Sequence, residues 1–279
     1  MDATKSKSLR ETAAHVRLNA LKAVVSAGSG HIGGSLSITD ILTALYFHQM
    51  KVDVKNPKWE GRDRLVLSKG HCSPALYGVL AEKGFFPKEE LKDFRQIDSR
   101  LSGHVEISVP GVDMSTGSLG QGLSAAVGMA LAAGMDKVDY RVYAIMGDGE
   151  IEEGQIWEAA MSAGHYKLDN LVAIVDNNNL QIDGQITDVM SPYPIDKKFD
   201  SFNWNTIVID GHDMDQIIDA FDQAEKTKGK PTAIIAKTVK GKGVSFMENV
   251  AGWHGKAPDQ TQYEAAVSEI EAYLEEVRG

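Results

Sequence analysis

The chain has 279 residues, 43% hydrophobic and 24% charged, enough for a buried core and unlike the composition of a disordered tract. Its 29 basic and 39 acidic side chains leave a net charge of −10, which argues against a nucleic-acid surface because that would need a basic stripe. A single cysteine, Cys72, excludes an internal disulfide and favours a reducing compartment, and no apolar run reaches signal-peptide or membrane-spanning length, so a soluble cytoplasmic protein is expected.

In chain order, helical periodicity predicts helices over Glu11–Ala27 and Ile38–Gln49. The apolar "LVL" before Ser68 reads as a strand, followed by a helix over Pro74–Lys83 and another over Gln121–Ala133. "YRVYAIM" (Tyr140–Met146) is a strand, Glu153–His165 a helix, and "LVAIV" (Leu171–Val175) a strand. The tract Thr187–Asn205, with Pro192 and Pro194, reads as a loop over the sheet edge. A strand at Thr206–Ile209, a helix at Asp213–Lys226 and a strand at Thr232–Val239 follow. The last helix, Gln260–Val277, puts Tyr263, Ala266, Ile270 and Leu274 on one face. This alternation, without repeats or low-complexity linkers, implies an α/β fold, a doubly wound and mostly parallel sheet flanked by helices, with one domain over residues 1–279.

Two strand ends carry the chemistry. Asp148 follows "VYAIM" in a Gly-Asp-Gly turn, at the carboxyl end where open α/β sheets bind ligands. Asn178 lies thirty residues later in "VDNNNLQIDG", at the end of the next strand, and one βαβ crossover would set the two ends side by side. A carboxylate, an amide oxygen and a backbone carbonyl are hard donors suited to Mg²⁺, with Ca²⁺ as a substitute. A Gly-rich strand–helix turn ordinarily cradles phosphate, so the carboxylate makes sense if it holds a cation and the cation holds a diphosphate.

Of the eight histidines, five directly follow a glycine: His31, His71, His104, His165 and His212. For His31, His71 and His104, in loops ill placed for a core, function is favoured. For His165 at a helix end and His212 at a helix start, capping and packing suffice. His15 and His48 fall on helices and carry no functional assignment. Cys72 reads as a small packed side chain. The cluster Lys237, Lys240 and Lys242 leaves a phosphate contact and a solvated charge group both open. The acids of "EIEE" suit a helix N-terminus electrostatically.

"GDG" followed after about thirty residues by "NN" resembles the thiamine-diphosphate motif, and ordered tracts resemble the transketolase family. They are "SGHIGGSLSITDIL", "DRLVLSKGHCSPALYGVL", "SGHVE", "PGVDMSTGSLGQGLSAAVGMALA", "GDGEIEEGQIWEAAMSAGHYKLDNLVAIVDNNNLQIDG" and "GWHGKAP", running from near residue 11 to near residue 260. The chain departs from the common pattern in "GHIGG", in Ser118 where proline is usual, and in "GHVE"; the histidines and glycines remain.

The resemblance implies a thiamine-diphosphate-binding fold and assigns roles. Asp148, Asn178 and the Leu180 carbonyl are the implied Mg²⁺ ligands. His71, Gly117, Leu119, Asp148, Gly149, Asn178 and His254 are implied cofactor contacts. His31, His104 and His254 are implied to handle the sugar's hydroxyls, carbonyl and protons. Glu153 is the implied carboxylate of a subunit interface. The match covers only the diphosphate-binding part of a transketolase, so the pyrimidine-binding and C-terminal domains are expected on a partner chain, in an α₂β₂ assembly active only when complete. The implied reaction, that of the pentose phosphate pathway, moves a two-carbon ketol unit from a ketose phosphate to an aldose phosphate. Alternatives are a subunit of a deoxyxylulose-phosphate synthase-like or unusual-sugar carboligase, and a non-catalytic regulatory homologue.

Overall fold

A computed structural model describes residues 3–279. The elements are α1 (Ala3–Ala27), α2 (Ile32–Ser37), α3 (Thr39–Ala44), β1 (Arg64–Leu67), α4 (Ser73–Lys83), α5 (Gly122–Asp136), β2 (Val142–Gly147), α6 (Gly154–His165) and β3 (Leu171–Asn177). A small hairpin, β4 (Leu180–Gln181) and β5 (Gly184–Gln185), leads through α7 (Ile186–Val189) and α8 (Ile195–Ser201) to β6 (Asn205–Asp210), α9 (Met214–Lys226), β7 (Thr232–Lys237) and α10 (Gln260–Arg278).

The main sheet runs in the order β1-β2-β3-β7-β6, and every neighbouring pair is parallel. Side chains alternate across it. Leu65, Leu67, Tyr143, Ile145, Val172 and Ile174 enter one core with α1, α4, α9 and α10. Val66, Ala144, Met146, Leu171, Ala173 and Val175 enter the other with α5, α6 and α8. Burial on both faces explains why the strands read as unbroken apolar runs. Trp204, 2% exposed, anchors the second core and satisfies its indole N–H on the Ala160 carbonyl at 2.8 Å. α9 is capped by Asp213, whose Oδ1 accepts from Asp215 N (3.0 Å) and Gln216 N (3.2 Å), and α10 by a reciprocal Asp259–Gln262 capping box.

Three sequence expectations change. α1 begins at Ala3, well before Glu11. The expected helix Ile38–Gln49 is instead α2, starting at Ile32, a break at Ile38 (φ −98°, ψ 2°), α3, and a wide π-type turn over Leu45–Gln49. The hydroxyls of Ser35 and Thr39 bond the carbonyls four residues back (2.7 and 2.9 Å), a local competition that bends helices. The expected loop Thr187–Asn205 contains α8, which buries Ile195 and Phe199 in the second core. Among the described residues no helix is long and apolar enough to cross a membrane.

Candidate functional site

Because the strands are parallel, the carboxyl ends of β1, β2, β3 and β7 share one edge, and a cleft of about 240 Å³ opens there. β2 delivers Asp148, 2% exposed. Its Oδ2 accepts from Asn179 N (2.6 Å) and Asn177 Nδ2 (3.1 Å), and its Oδ1 from Gly149 N (3.0 Å). Burial, reinforced by the charge of Asp176, pushes its carboxyl up to about 6.

β3 delivers Asn178. Its amide is oriented by two bonds: Nδ2 donates to Asp176 Oδ2 (3.0 Å), and Oδ1 accepts from Leu180 N (3.1 Å). Asp176 is wholly buried and accepts from Ser37 Oγ (2.7 Å), Thr238 Oγ1 and the Lys69 ammonium. Burial alone would raise the Asp176 carboxyl, but Lys69 and the hydroxyls outweigh it and hold it below its ordinary value. Burial alone would likewise lower Lys69, and Asp176 holds it above. Lys69 also reaches the Gly34 carbonyl at 3.2 Å.

Across the cleft, four histidines meet. The His31 ring lies 5.0 Å from His71, 5.3 Å from His254 and 6.0 Å from His104, and His71 lies 5.2 Å from His254. All are held neutral, first by burial and then by a nearby positive group. His31 falls to about 4 beside Arg95, His71 to about 2 beside Lys69, and His254 to about 3 beside Lys240. His104 is lowered too. The Nδ1 of His31 is buried without a partner among the described residues. A neutral imidazole can donate from one nitrogen and accept at the other, whereas an imidazolium can only donate.

Ten expected residues line this one cleft: His31, His71, His104, Gly117, Leu119, Asp148, Gly149, Asn178, Leu180 and His254. Glu153 does not; it is exposed at the start of α6. Of the lysine cluster, only Lys240 belongs. Its ammonium is 2.9 Å from His254 Nδ1 and 3.4 Å from the Leu180 carbonyl, and burial followed by repulsion from Lys69 lowers it to about 8. Lys242 pairs instead with Glu248 at 3.4 Å, and Lys237 is exposed. His165 is exposed at the end of α6, while His212 bonds Asp40 Oδ2 (2.8 Å) and accepts from Val239 N (2.8 Å). Cys72 is buried, its thiol pushed up to about 11 by burial.

Lys69, Asp176 and Glu150 escape a reading by motif. Lys69 and Asp176 stand inside family-like tracts, yet their pairing spans 107 positions and has no local signal. Glu150 sits among helix-start acids, but its carboxylate turns back into the protein, onto Ser68, Gly120 and Gly147.

The donor set fits a hard divalent cation carrying phosphate. Asp148, the Asn178 amide oxygen and the Leu180 carbonyl line the same cleft, and the nearby Lys240 ammonium already draws on that carbonyl. Among the described residues there is no group of three or more His, Cys, Asp or Glu arranged to hold a metal, so the set is one of mixed oxygens. The Lys240 ammonium, which has no carboxylate partner among the described residues, and the N–H groups of the neutral imidazoles are donors that a diphosphate can use in a protein of net charge −10.

A family model for the transketolase thiamine diphosphate binding domain matches residues 8–270. The chain is 48% identical over 264 residues to a 6-deoxy-6-sulfo-D-fructose transketolase subunit of Clostridium sp. (strain MSTE9), covering 94% of this chain and 96% of that protein. It is also 48% identical over 261 residues to an apulose-4-phosphate transketolase subunit of Phocaeicola vulgatus, covering 94% and 93%. Among solved structures, it superimposes on the Pichia stipitis transketolase complexed with sedoheptulose 7-phosphate with a TM-score of 0.87 at 31% identity, covering 98% of this chain and 44% of that one. The Campylobacter jejuni transketolase gives a TM-score of 0.84 at 36% identity, covering 97% and 48%. The chain thus spans about half the length of these solved transketolases and nearly all of the two subunits.

Proposed function

Because the chain belongs to the transketolase family through its thiamine diphosphate binding domain, we propose that it is the diphosphate-binding subunit of a two-chain transketolase. The observation that carries this reading is the convergence of Asp148, Asn178 and the Leu180 carbonyl with four neutral histidines in one cleft. Asp148, Asn178 and Leu180 would hold Mg²⁺, for which Ca²⁺ can substitute. His71, Gly149, Lys240 and the backbone of Gly117 and Leu119 would hold the diphosphate. When bound, thiamine diphosphate supplies the carbon nucleophile and the electron sink. The protein's share is to fix the cofactor and move protons: His31 and His254 exchange them with the sugar's hydroxyl and carbonyl oxygens, and His104 holds the donor.

The reaction transfers a two-carbon ketol unit from a ketose phosphate to an aldose phosphate. A partner chain would bring the pyrimidine-binding and C-terminal domains, with Glu153, exposed beside the cleft, at the interface of an α₂β₂ cytoplasmic assembly. Two observations support a separate partner: the near full-length match to two proteins named as subunits, and the half-length match to whole transketolases. The test is sedoheptulose 7-phosphate formation from xylulose 5-phosphate and ribose 5-phosphate, with Mg²⁺ and thiamine diphosphate, for each chain alone and for the mixture. Activity confined to the mixture is expected, and turnover by the lone chain would refute the division of labour.

The two subunits matched at 48% identity carry different sugars in their names. This favours a second reading, a transketolase for an unusual ketose, with sugar choice residing in the partner. A panel of phosphorylated and sulfonated ketoses offered to the assembled enzyme separates the two readings.

A further inference from the structure

Glu150 stands two residues beyond Asp148 and is 3% exposed. All its hydrogen bonds come from neutral donors on three separate segments. Oε1 accepts from Ser68 Oγ, just past β1, and from Gly120 N–H at 3.0 Å; Oε2 accepts from Gly147 N–H, at the end of β2, at 3.1 Å. Withdrawing a carboxylate from water costs several kcal/mol even after relaxation, so a site that keeps one must use its acceptors.

What it uses them on is the loop between Thr116 and Gln121, which carries Gly117 and Leu119 to the cleft. Thr116 is tied down by its N–H to Val105 O (3.0 Å) and its hydroxyl to Leu67 O (2.7 Å), and α5 begins at Gly122. Among the described residues, the backbone from Gly117 to Gly120 donates one hydrogen bond to the rest of the protein, and Glu150 receives it. At its end, and at the first residue of α5, the backbone lies too close to its support for a side chain. A Cβ on Gly120 (φ +84°) would come within 2.7 Å of Glu153 Cβ, and one on Gly122 within 2.3 Å of Ser68 Oγ.

We propose that Glu150 is a positioning residue whose carboxylate latches the Thr116–Gln121 loop to the ends of β1 and β2, setting the backbone of Gly117 and Leu119 opposite Asp148. Its functional consequence rests on the cofactor-binding reading above. Three donors converge on the group and no acceptor does, so an acceptor-only side chain is required. A carboxamide of the same shape must turn an N–H toward another donor and break at least one bond.

Hydrogen exchange on the full-length Glu150→Gln chain tests the latch without cofactor. The hydrogen-bonded amides of the loop, Gly120 and Gln121, are expected to exchange about tenfold faster, with those of β3 and β7 unchanged. In the partner complex, Glu150→Gln is expected to raise the KM for thiamine diphosphate about tenfold, with kcat at saturating cofactor within about twofold. If Glu150→Gln does not fold, Ser68→Ala carries the test, since it removes one donor and leaves the carboxylate; loop exchange should rise about threefold. Unchanged loop exchange in a folded variant overturns the latch and leaves the functional reading standing. Faster loop exchange in the variant, alongside a wild-type complex that binds no thiamine diphosphate, overturns the functional reading and leaves the latch standing.

Discussion

The two sides of the cleft treat buried charge in opposite ways. On the strand side, Lys69 and Asp176 are both buried and directly paired, and each holds the other in its charged form. On the loop side, Lys240 is buried beside a neutral imidazole with no carboxylate in contact among the described residues, and its ammonium is weakened to about 8, while His254 falls to about 3. Paired charge is architecture: it fixes Asn178 and does not titrate near neutrality. The unpaired imidazoles have had their charge suppressed, and under the proposed function they are the groups that exchange protons with a ligand.

The largest effect that would break this contrast is at Asp176. Asp176→Ala strands the Lys69 charge and should cost about 3–5 kcal/mol of stability, read by urea denaturation; a loss below about 1 kcal/mol would mean the pair is not structural. Next comes Asp148→Ala. In the partner complex it should weaken Mg²⁺-dependent thiamine diphosphate binding by about 100-fold or more, measured by calorimetry, with the fold retained; unaltered affinity would remove Asp148 from the cation site.

A third test uses pH on the lone chain. His31, His71 and His254 titrate below the ordinary 6.5 when folded, so the unfolded chain takes up protons first as pH falls. Stability is therefore intact above about 6.5 and declines through the interval down to the folded values. His71 alone should account for about 2 kcal/mol by pH 5, and His71→Asn should flatten the acid limb of a stability–pH curve by that amount. The smallest effect is expected at Lys240. Lys240→Met removes an unpaired buried cation and should stabilise the lone chain by about 1 kcal/mol in thermal melts while weakening diphosphate binding, the opposite sign to Asp176→Ala.

The sheet was largely legible because β1, β2, β3 and β7 are buried almost throughout and read as short apolar runs. Helix starts were less so. Nothing apolar marks the first turns of α1, and the Ile38 break comes from serine and threonine hydroxyls competing for backbone carbonyls, which periodicity does not register. α8 hid because seven residues directly after Pro194, with only Ile195 and Phe199 buried, carry too few repeats to show a period. In the site, residues on recognisable turns were legible and those acting through long-range pairing were not. Asp176 next to Asn177 could be seen as an acid in a turn; that it faces Lys69 is a property of the folded sheet. Lys240 and Lys242 are separated by one glycine in sequence, and only the fold sends one into the cleft and the other to Glu248.

The parallel sheet has an engineering consequence. With all chemistry gathered at the carboxyl ends of the strands, the opposite rim is made of connectors that enter strands rather than leave them. The turn before β2 (residues 136–139) and the turn before β7 (residues 227–230) are largely solvent-facing and stand a full strand length from Asp148 and Lys240. That rim is where a fluorophore, an affinity handle or a whole inserted protein can be attached, leaving the reacting edge and whatever partner covers it undisturbed.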